Sequence, residues 1–344
     1  MVGGGPVRPV RLVRLMSTAR VAAIDCGTNS LRLLVADVDP AAGRLTDVDR
    51  RMEIVRLGQG VDSTGRLAPE ALDRTLRALA GYARIIGDLS VGAVRMVATS
   101  ATRDAANAGD FVRGVKGILG LEPEVLSGMD EAYLSFTGAT AEFVAPGGSA
   151  GPGSGPCLVV DIGGGSTEFV IGEAGASGAG YRGPGGVRAV SVDIGCVRLT
   201  ERHLHSDPPR PDEVRAAAAD IGAALDTVAA AIPVADARTL VGLAGSVTTV
   251  AGLALGLREY DSARIHHTRV TADQVSAQAR RLLGQTRAER AALGVMHPGR
   301  ADVIAGGAMV LDQIMRRFGF AEVLASEHDI LDGIARALCA GVLR

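Results

Sequence analysis

The hydrophobic pattern opens with a short apolar run, residues 21–25, that ends in CGTNS and is followed at once by LRLLVADV, residues 31–38. This is strand, Gly-polar turn, strand. A further strand is predicted over 52–57. From Pro69 the period changes: Leu72, Leu76, Leu79 and Ala83 recur at helical spacing, which predicts a helix over 69–88. Residues 94–98 read as a strand leading through TSATRDAAN into a second helix, 124–126 as a short strand, and SGMDEAYLSFTGATAEF as a helix.

Residues 145–156, APGGSAGPGSGP, are too rich in Gly and Pro to pack and are expected to form an exposed loop. Beyond them the opening pattern returns. CLVVDIGGGSTEFVIG, residues 157–172, is again strand, Gly-polar turn, strand. A second Gly-rich connection, GEAGASGAGYRGPGG, precedes a strand at 187–193, a helix over 212–231 and a strand at 240–243 that runs into LAGSVTTVAGLAL. The last third is expected to be mostly helical, over 272–283, 300–318 and 330–342. Strands and helices interleave twice, and each half opens on an acidic glycine hairpin. That order predicts an α/β fold of two related lobes, with a cleft between them as the natural ligand site.

Composition agrees with this and narrows the function. A chain of 344 residues suffices for two domains, and 47% hydrophobic with 22% charged residues is ordinary for a soluble globular protein. No apolar run reaches the roughly 18 residues of a membrane-spanning helix, and a net charge of −2 lacks the basic field of a nucleic-acid binder. Neither a membrane nor a nucleic acid is therefore an expected partner. Lys116 is the only lysine, so a GxxxxGK[ST] phosphate loop is excluded. Cys26, Cys157, Cys196 and Cys339 are widely spaced and read as buried small hydrophobes of a reducing cytoplasm. The six histidines show no metal-binding spacing; His203, His205, His266 and His267 are expected at the surface, without a structural zinc. Arginines interrupt every apolar stretch near the N-terminus, so residues 1–19 are expected to be a flexible tail rather than a signal peptide, with Met16 an alternative start.

The two hairpins carry the candidate chemistry. Glycine lets the backbone turn tightly, so that successive N–H groups point into one concavity that binds an anion. Gly27, Thr28, Asn29 and Ser30 form one such turn, and Gly163, Gly164, Gly165, Ser166 and Thr167 the other. Asp25 and Asp161 at the strand ends, with Glu168, are hard oxygen donors for a divalent cation.

At this point the sequence resembles the exopolyphosphatase and guanosine pentaphosphate phosphohydrolase (Ppx/GppA) family, within the actin/Hsp70/sugar-kinase superfold. DCGTNS resembles its first phosphate loop and DIGGGSTE its second. TSATRDA, LSGMDEAYLSF, IGCVRL, LAGSVTTVA and PGRADVIAGGA match in order, so the resemblance covers about residues 20–342. It implies two actin-like (ribonuclease H-like) lobes, over 20–129 and 130–344, with the last helix free to pack back on the first lobe.

It also implies roles. Glu131 matches the catalytic base, able to orient water and take its proton. Arg103 would clamp a phosphate oxygen with its planar fork. Asp161 and Glu168 would hold Mg²⁺ or Mn²⁺, with Asp25 the further acidic group. Gly245 and Ser246 would touch substrate. Two departures stand out: Asp130 replaces a glutamate, and Leu331 an arginine in ASEHDILDGI. The chain ends before the C-terminal domains of the long members, so the short two-domain form is expected.

The activity implied is metal-dependent release of terminal phosphate from inorganic polyphosphate, with shorter chains favoured, by a cytoplasmic homodimer. Guanosine penta- or tetraphosphate or other nucleotides are alternative ligands. With only 3% aromatic residues and no tryptophan, base-stacking candidates are few. Readings from other classes are a non-catalytic nucleotide- or polyphosphate-binding sensor of the actin type, and a small-molecule kinase, for which no substrate-activating aspartate is in evidence.

Overall fold

The structure is a computed structural model, which describes residues 18–39, 42–143, 155–173 and 187–339. Most of the expected tail, of the expected loop at 145–156 and of the Gly-rich connection after Gly172 lies outside the described residues. The chain divides into two compact units, Met1–Ser127 with Ile330–Arg344, and Gly128–Asp329.

The first unit holds β1 (Ala19–Cys26), β2 (Ser30–Asp39), β3 (Arg44–Ile54), α1 (Val61–Thr64), α2 (Pro69–Asp88), β4 (Ala93–Ala98), α3 (Ser100–Asp104), α4 (Ala108–Leu119) and β5 (Glu124–Val125). Its sheet runs β3-β2-β1-β4-β5, antiparallel through the first hairpin and parallel from β1 to β4 and β5. Every residue from Val21 to Cys26 is buried, because β1 is central and covered on both faces; its apolar positions run on rather than alternate. One face takes α2 and α4, whose Leu79, Tyr82, Ile86, Phe111 and Val115 pack with Ile24 and Leu33. Tyr82 donates its hydroxyl to the Leu31 carbonyl at 3.1 Å, which satisfies the one polar atom that this large side chain buries. Of the strand expected over 52–57, residues 52–54 are the end of β3, and 55–57 lie beyond it. Its polar earlier half, LTDVDRR, belongs to an outer strand open to solvent and so shows no apolar run.

The second unit holds α5 (Gly128–Thr140), β6 (Pro156–Ile162), β7 (Thr167–Glu173), β8 (Arg188–Val192), α6 (Cys196–His203), α7 (Pro211–Ala231), β9 (Thr239–Leu243), α8 (Ala244–Ala254), α9 (Ser262–Ile265), β10 (Arg269–Thr271), α10 (Ala272–Gly284), α11 (Arg287–Ala291), α12 (Ile304–Phe318) and β11 (Glu322–Ala325). Its sheet runs β8-β7-β6-β9-β11-β10. The first five strands of that order repeat the first unit: an antiparallel hairpin and third strand, then two strands parallel to the hairpin's first. The strands β10 and β11 and the helix α6 leave no clear period in the sequence, because each is short.

The last described element is α13 (Ile330–Cys339), which belongs to the first unit and packs against β1, β2 and β4. Leu331 is buried there, and the buried Asp332 accepts from Arg50 Nη2 at 2.7 Å. All four cysteines are free and buried, and burial pushes the Cys26 thiol well up, as suits small hydrophobes. Among the described residues no helix is long and apolar enough to cross a membrane.

Candidate active site

The two hairpins are built alike. In the first, Gly27 N–H donates to Ser30 O at 3.0 Å and closes a tight turn. The carbonyls of Thr28 and Asn29 face inward: Gly58 donates to the former at 2.8 Å, and Val55 and Arg56 to the latter at 3.0 and 2.9 Å. In the second, Gly163 N–H donates to Ser166 O at 3.1 Å, again closing a tight turn. Here the N-terminus of α6 takes the carbonyls, Cys196 donating to Gly163 at 3.0 Å and Val197 and Arg198 to Gly164 at 2.9 and 3.1 Å. With the carbonyls fixed into the protein, the amides turn the other way. Among the described residues nothing accepts from the amides of Thr28, Asn29, Gly164 or Gly165. Amides clustered in this way bind anions.

The side chains differ between the hairpins. Asp25 faces Arg32 across β1 and β2, and Arg32 donates from Nε and Nη2 to Asp25 Oδ2 at 3.0 and 2.7 Å. At the matching register of β6 and β7, Asp161 faces Glu168. Opposite charges thus stabilise the first hairpin, whereas like charges directly opposed strain the second. Two hydroxyls hold the opposed carboxylates. Ser135 of α5 donates to Asp161 Oδ2 at 2.7 Å, and Ser191 of β8 donates to Glu168 Oε1 at 2.7 Å. Both acids are buried, at 7% and 1% exposure. Such a set of hard oxygens suits Mg²⁺ or Mn²⁺ rather than a thiolate-seeking metal.

Glu131 belongs to the same group. It lies in the first turn of α5, buried, and Ser135 follows four residues later on the same helix face. Glu131 therefore lies one helical turn from the serine that holds the Asp161 carboxylate. Gly128, at the start of α5, packs directly on Ser191, where an added Cβ would stand 2.5 Å from the serine Cβ. A single helix thus positions Glu131 while touching the partners of both acids.

β9 lies beside β6 with Leu243 opposite Asp161, so α8 begins next to the second hairpin. The turn into α8 is sharp: Ala244 has φ 65, a left-handed conformation rare outside glycine that costs on the order of 1 kcal/mol. Gly245 follows, and the Arg300 guanidinium lies against it in the space a Cβ would take. Ser246 is buried beside Gly307 and Cys196. Burial raises the Cys196 thiol, and the Arg300 charge and Ser246 hydroxyl act in the opposite direction. The Thr167 hydroxyl donates to the Ile194 carbonyl.

In the first unit, Thr28 Oγ1 and Ser100 Oγ are hydrogen-bonded at 2.7 Å, joining the first turn to α3. Arg103, on α3, donates from Nη1 to the Leu126 carbonyl at 2.9 Å. The expected residues thus form two groups. Asp25, residues 27–30 and Arg103 belong to the first unit; Glu131, Asp161, residues 163–168, Gly245 and Ser246 belong to the second. Sequence reasoning missed Arg32, Ser135, Ser191 and Arg300. For Arg32 a signal existed, since it stands seven residues after Asp25 as Glu168 stands seven after Asp161.

Known proteins resemble the chain over nearly its whole length. The Ppx/GppA phosphatase family model matches residues 34–336. Exopolyphosphatase 2 of Mycobacterium tuberculosis is 50% identical over 334 residues, covering 94% of this chain and 99% of that protein. The crystal structure of an exopolyphosphatase-like protein superposes with a TM-score of 0.85 at 42% identity, covering 93% of this chain and 97% of that one. The Aquifex aeolicus Ppx/GppA protein gives a TM-score of 0.73 at 30% identity, with the same coverage of 93% and 97%.

Proposed function

Because the chain belongs to the Ppx/GppA phosphatase family, we propose that it is an exopolyphosphatase, which hydrolyses the terminal phosphoanhydride bond of inorganic polyphosphate and releases orthophosphate. The observation that carries the reading is the placement of Glu131 on α5, one turn from the serine that holds Asp161.

Glu131 orients a water molecule towards the terminal phosphorus and accepts its proton. The water oxygen bonds to phosphorus, the bridging P–O bond breaks, and its electron pair leaves on the shortened chain. The amides of Gly164 and Gly165, with the positive end of the α6 dipole behind their turn, hold phosphate oxygens in place. In phosphoryl transfer, positioning and charge neutralisation supply most of the catalysis. Asp161 and Glu168 are the proposed ligands of Mg²⁺ or Mn²⁺, which when bound neutralises charge on the phosphate oxygens. Asp25, held by Arg32, is the acidic group of the first hairpin, and the turn of that hairpin and Arg103 are proposed as phosphate-binding groups of the first unit. Four buried, unpaired thiols support a cytoplasmic setting.

The test is orthophosphate release from polyphosphates of defined length with Mg²⁺, run beside guanosine pentaphosphate. Faster release from bare chains is expected. Release from the nucleotide alone would reassign the substrate, and release from neither would point to a non-catalytic sensor.

A further inference from the structure

Away from the phosphate turns, three histidines of the second unit converge on one carboxylate. Glu142 lies in the short turn Ala141–Phe143 that follows α5. His266 Nε2 is 3.0 Å and His267 Nε2 3.6 Å from its Oε2, and His328 Nδ1 is 3.3 Å from its Oε1. Three separate stretches supply these groups: the end of α5, the turn between α9 and β10, and the segment after β11. All four side chains are part-exposed, between 22% and 36%, so a solute ion can reach them.

The donor atoms are close enough together to share one metal ion. Around a four-coordinate Zn²⁺, with bonds of about 2.0–2.2 Å, neighbouring donor atoms stand about 3.3–3.5 Å apart. The edges from Glu142 Oε2, 3.0 Å to His266 and 3.6 Å to His267, bracket that value, and one donor atom from each of Glu142, His266 and His328 lies within 4.8 Å of the other two. Hydrogen bonding alone does not explain the convergence. His267 Nε2 is buried and makes no hydrogen bond, and its backbone sits at φ 60, in the left-handed region that a non-glycine residue seldom adopts. The His266 and His267 rings stack at 3.8 Å.

We propose that Glu142, His266 and His328 form a binding site for a first-row transition cation, Zn²⁺ above all, with His267 beside it as a further donor. Imidazole nitrogens with one carboxylate favour such ions over Mg²⁺. Glu327 N–H now donates to His266 Nδ1 at 3.1 Å, so His266 carries its proton on Nε2. On binding, that proton moves to Nδ1 and the Glu327 amide bond gives way; no proton is lost. The site is separate from the carboxylates of the phosphate turn. Glu142 follows Glu131 by eleven residues, about 16 Å along a helix at 1.5 Å per residue. The cation would brace the end of α5 to two other stretches of the second unit.

The experiment is Zn²⁺ titration of the full chain by calorimetry, with millimolar Mg²⁺ present. One equivalent is expected to bind, at least about tenfold more weakly in Glu142→Gln and in His328→Ala, and unchanged in Asp161→Asn. Co²⁺ bound to the unsubstituted protein gives an independent readout through paramagnetically shifted imidazole N–H resonances, so a variant that misfolds does not end the test. Zn²⁺ binding that is absent in the parent protein, unaltered in both cluster variants, or lost in Asp161→Asn would overturn the proposal. So would Co²⁺ without shifted imidazole signals.

Discussion

Gly195→Ala isolates the support of the second glycine turn, proposed above to hold phosphate. Gly195 caps α6 with extended backbone, φ −133, so alanine meets no conformational strain of its own. Its Cβ, however, would stand 2.6 Å from Gly165 N and closer still to the Gly164 carbonyl. Ordinary contact needs about 3.5 Å, so the turn and α6 must separate by about 1 Å. Three amide bonds, from Cys196, Val197 and Arg198 to the carbonyls of Gly163 and Gly164, hold them together. At about 0.5–1.5 kcal/mol each, their complete loss would cost about 1.5–4.5 kcal/mol. Partial relaxation keeps the stability loss towards the lower end, a few degrees in Tm for a unit of this size. The catalytic effect is expected to be larger in proportion, because a displacement of about 1 Å in a positioned group lowers rate about 10²-fold. The assay is kcat/KM for orthophosphate release from a defined polyphosphate, with Tm by calorimetry. Gly222→Ala is the control, since a Cβ there meets nothing within 4 Å; it should leave activity unaltered. If Gly195→Ala kept parental kcat/KM and Tm, the packing of α6 against the turn would not be what sets its position.

Further outcomes follow from the same geometry. Glu131→Gln should lower turnover by about 10² to 10⁴-fold with KM and Tm little changed; near-normal turnover would move the base elsewhere, with Asp130 next to be tried. Ser135→Ala removes the hydroxyl that holds buried Asp161 at 2.7 Å, a charge-assisted bond worth about 1.5–3 kcal/mol. It should raise the Mg²⁺ concentration for half-maximal rate about tenfold or more, and an unchanged Mg²⁺ curve would show that Asp161 needs no such support. Gly164→Val should raise KM for polyphosphate, because a side chain obstructs the approach of an anion to the turn; a folded variant with normal KM would reduce the turn to a plain connection. Exhaustive chelation should abolish activity and Mg²⁺ restore it, whereas full activity without a divalent ion would leave Asp161 and Glu168 with another task.

The sequence determined whatever depends on near neighbours. The helix Pro69–Asp88 appears at its predicted bounds, because its apolar stripe and opening proline act within a few turns. Both hairpins were legible for the same reason: an apolar run, an aspartate, glycines and a second apolar run specify a strand, a turn and a strand locally. The repeat of that pattern gave two related α/β halves, and family membership followed from the order of motifs.

Tertiary structure decided which distant residues serve those motifs. Ser135 and Ser191 are ordinary serines in the sequence; only the packing of α5 and β8 around the second hairpin turns their hydroxyls onto Asp161 and Glu168. The helix α13 follows the second half in the chain, yet its apolar face is buried on β1, β2 and β4, and burial does not depend on sequence order. His328 lies 62 residues beyond His266 and 186 beyond Glu142, so no spacing rule could join them. Local pattern carries backbone conformation, since φ and ψ respond to the nearest residues. The convergence of side chains from separate elements is settled by long-range packing, which a single sequence does not display.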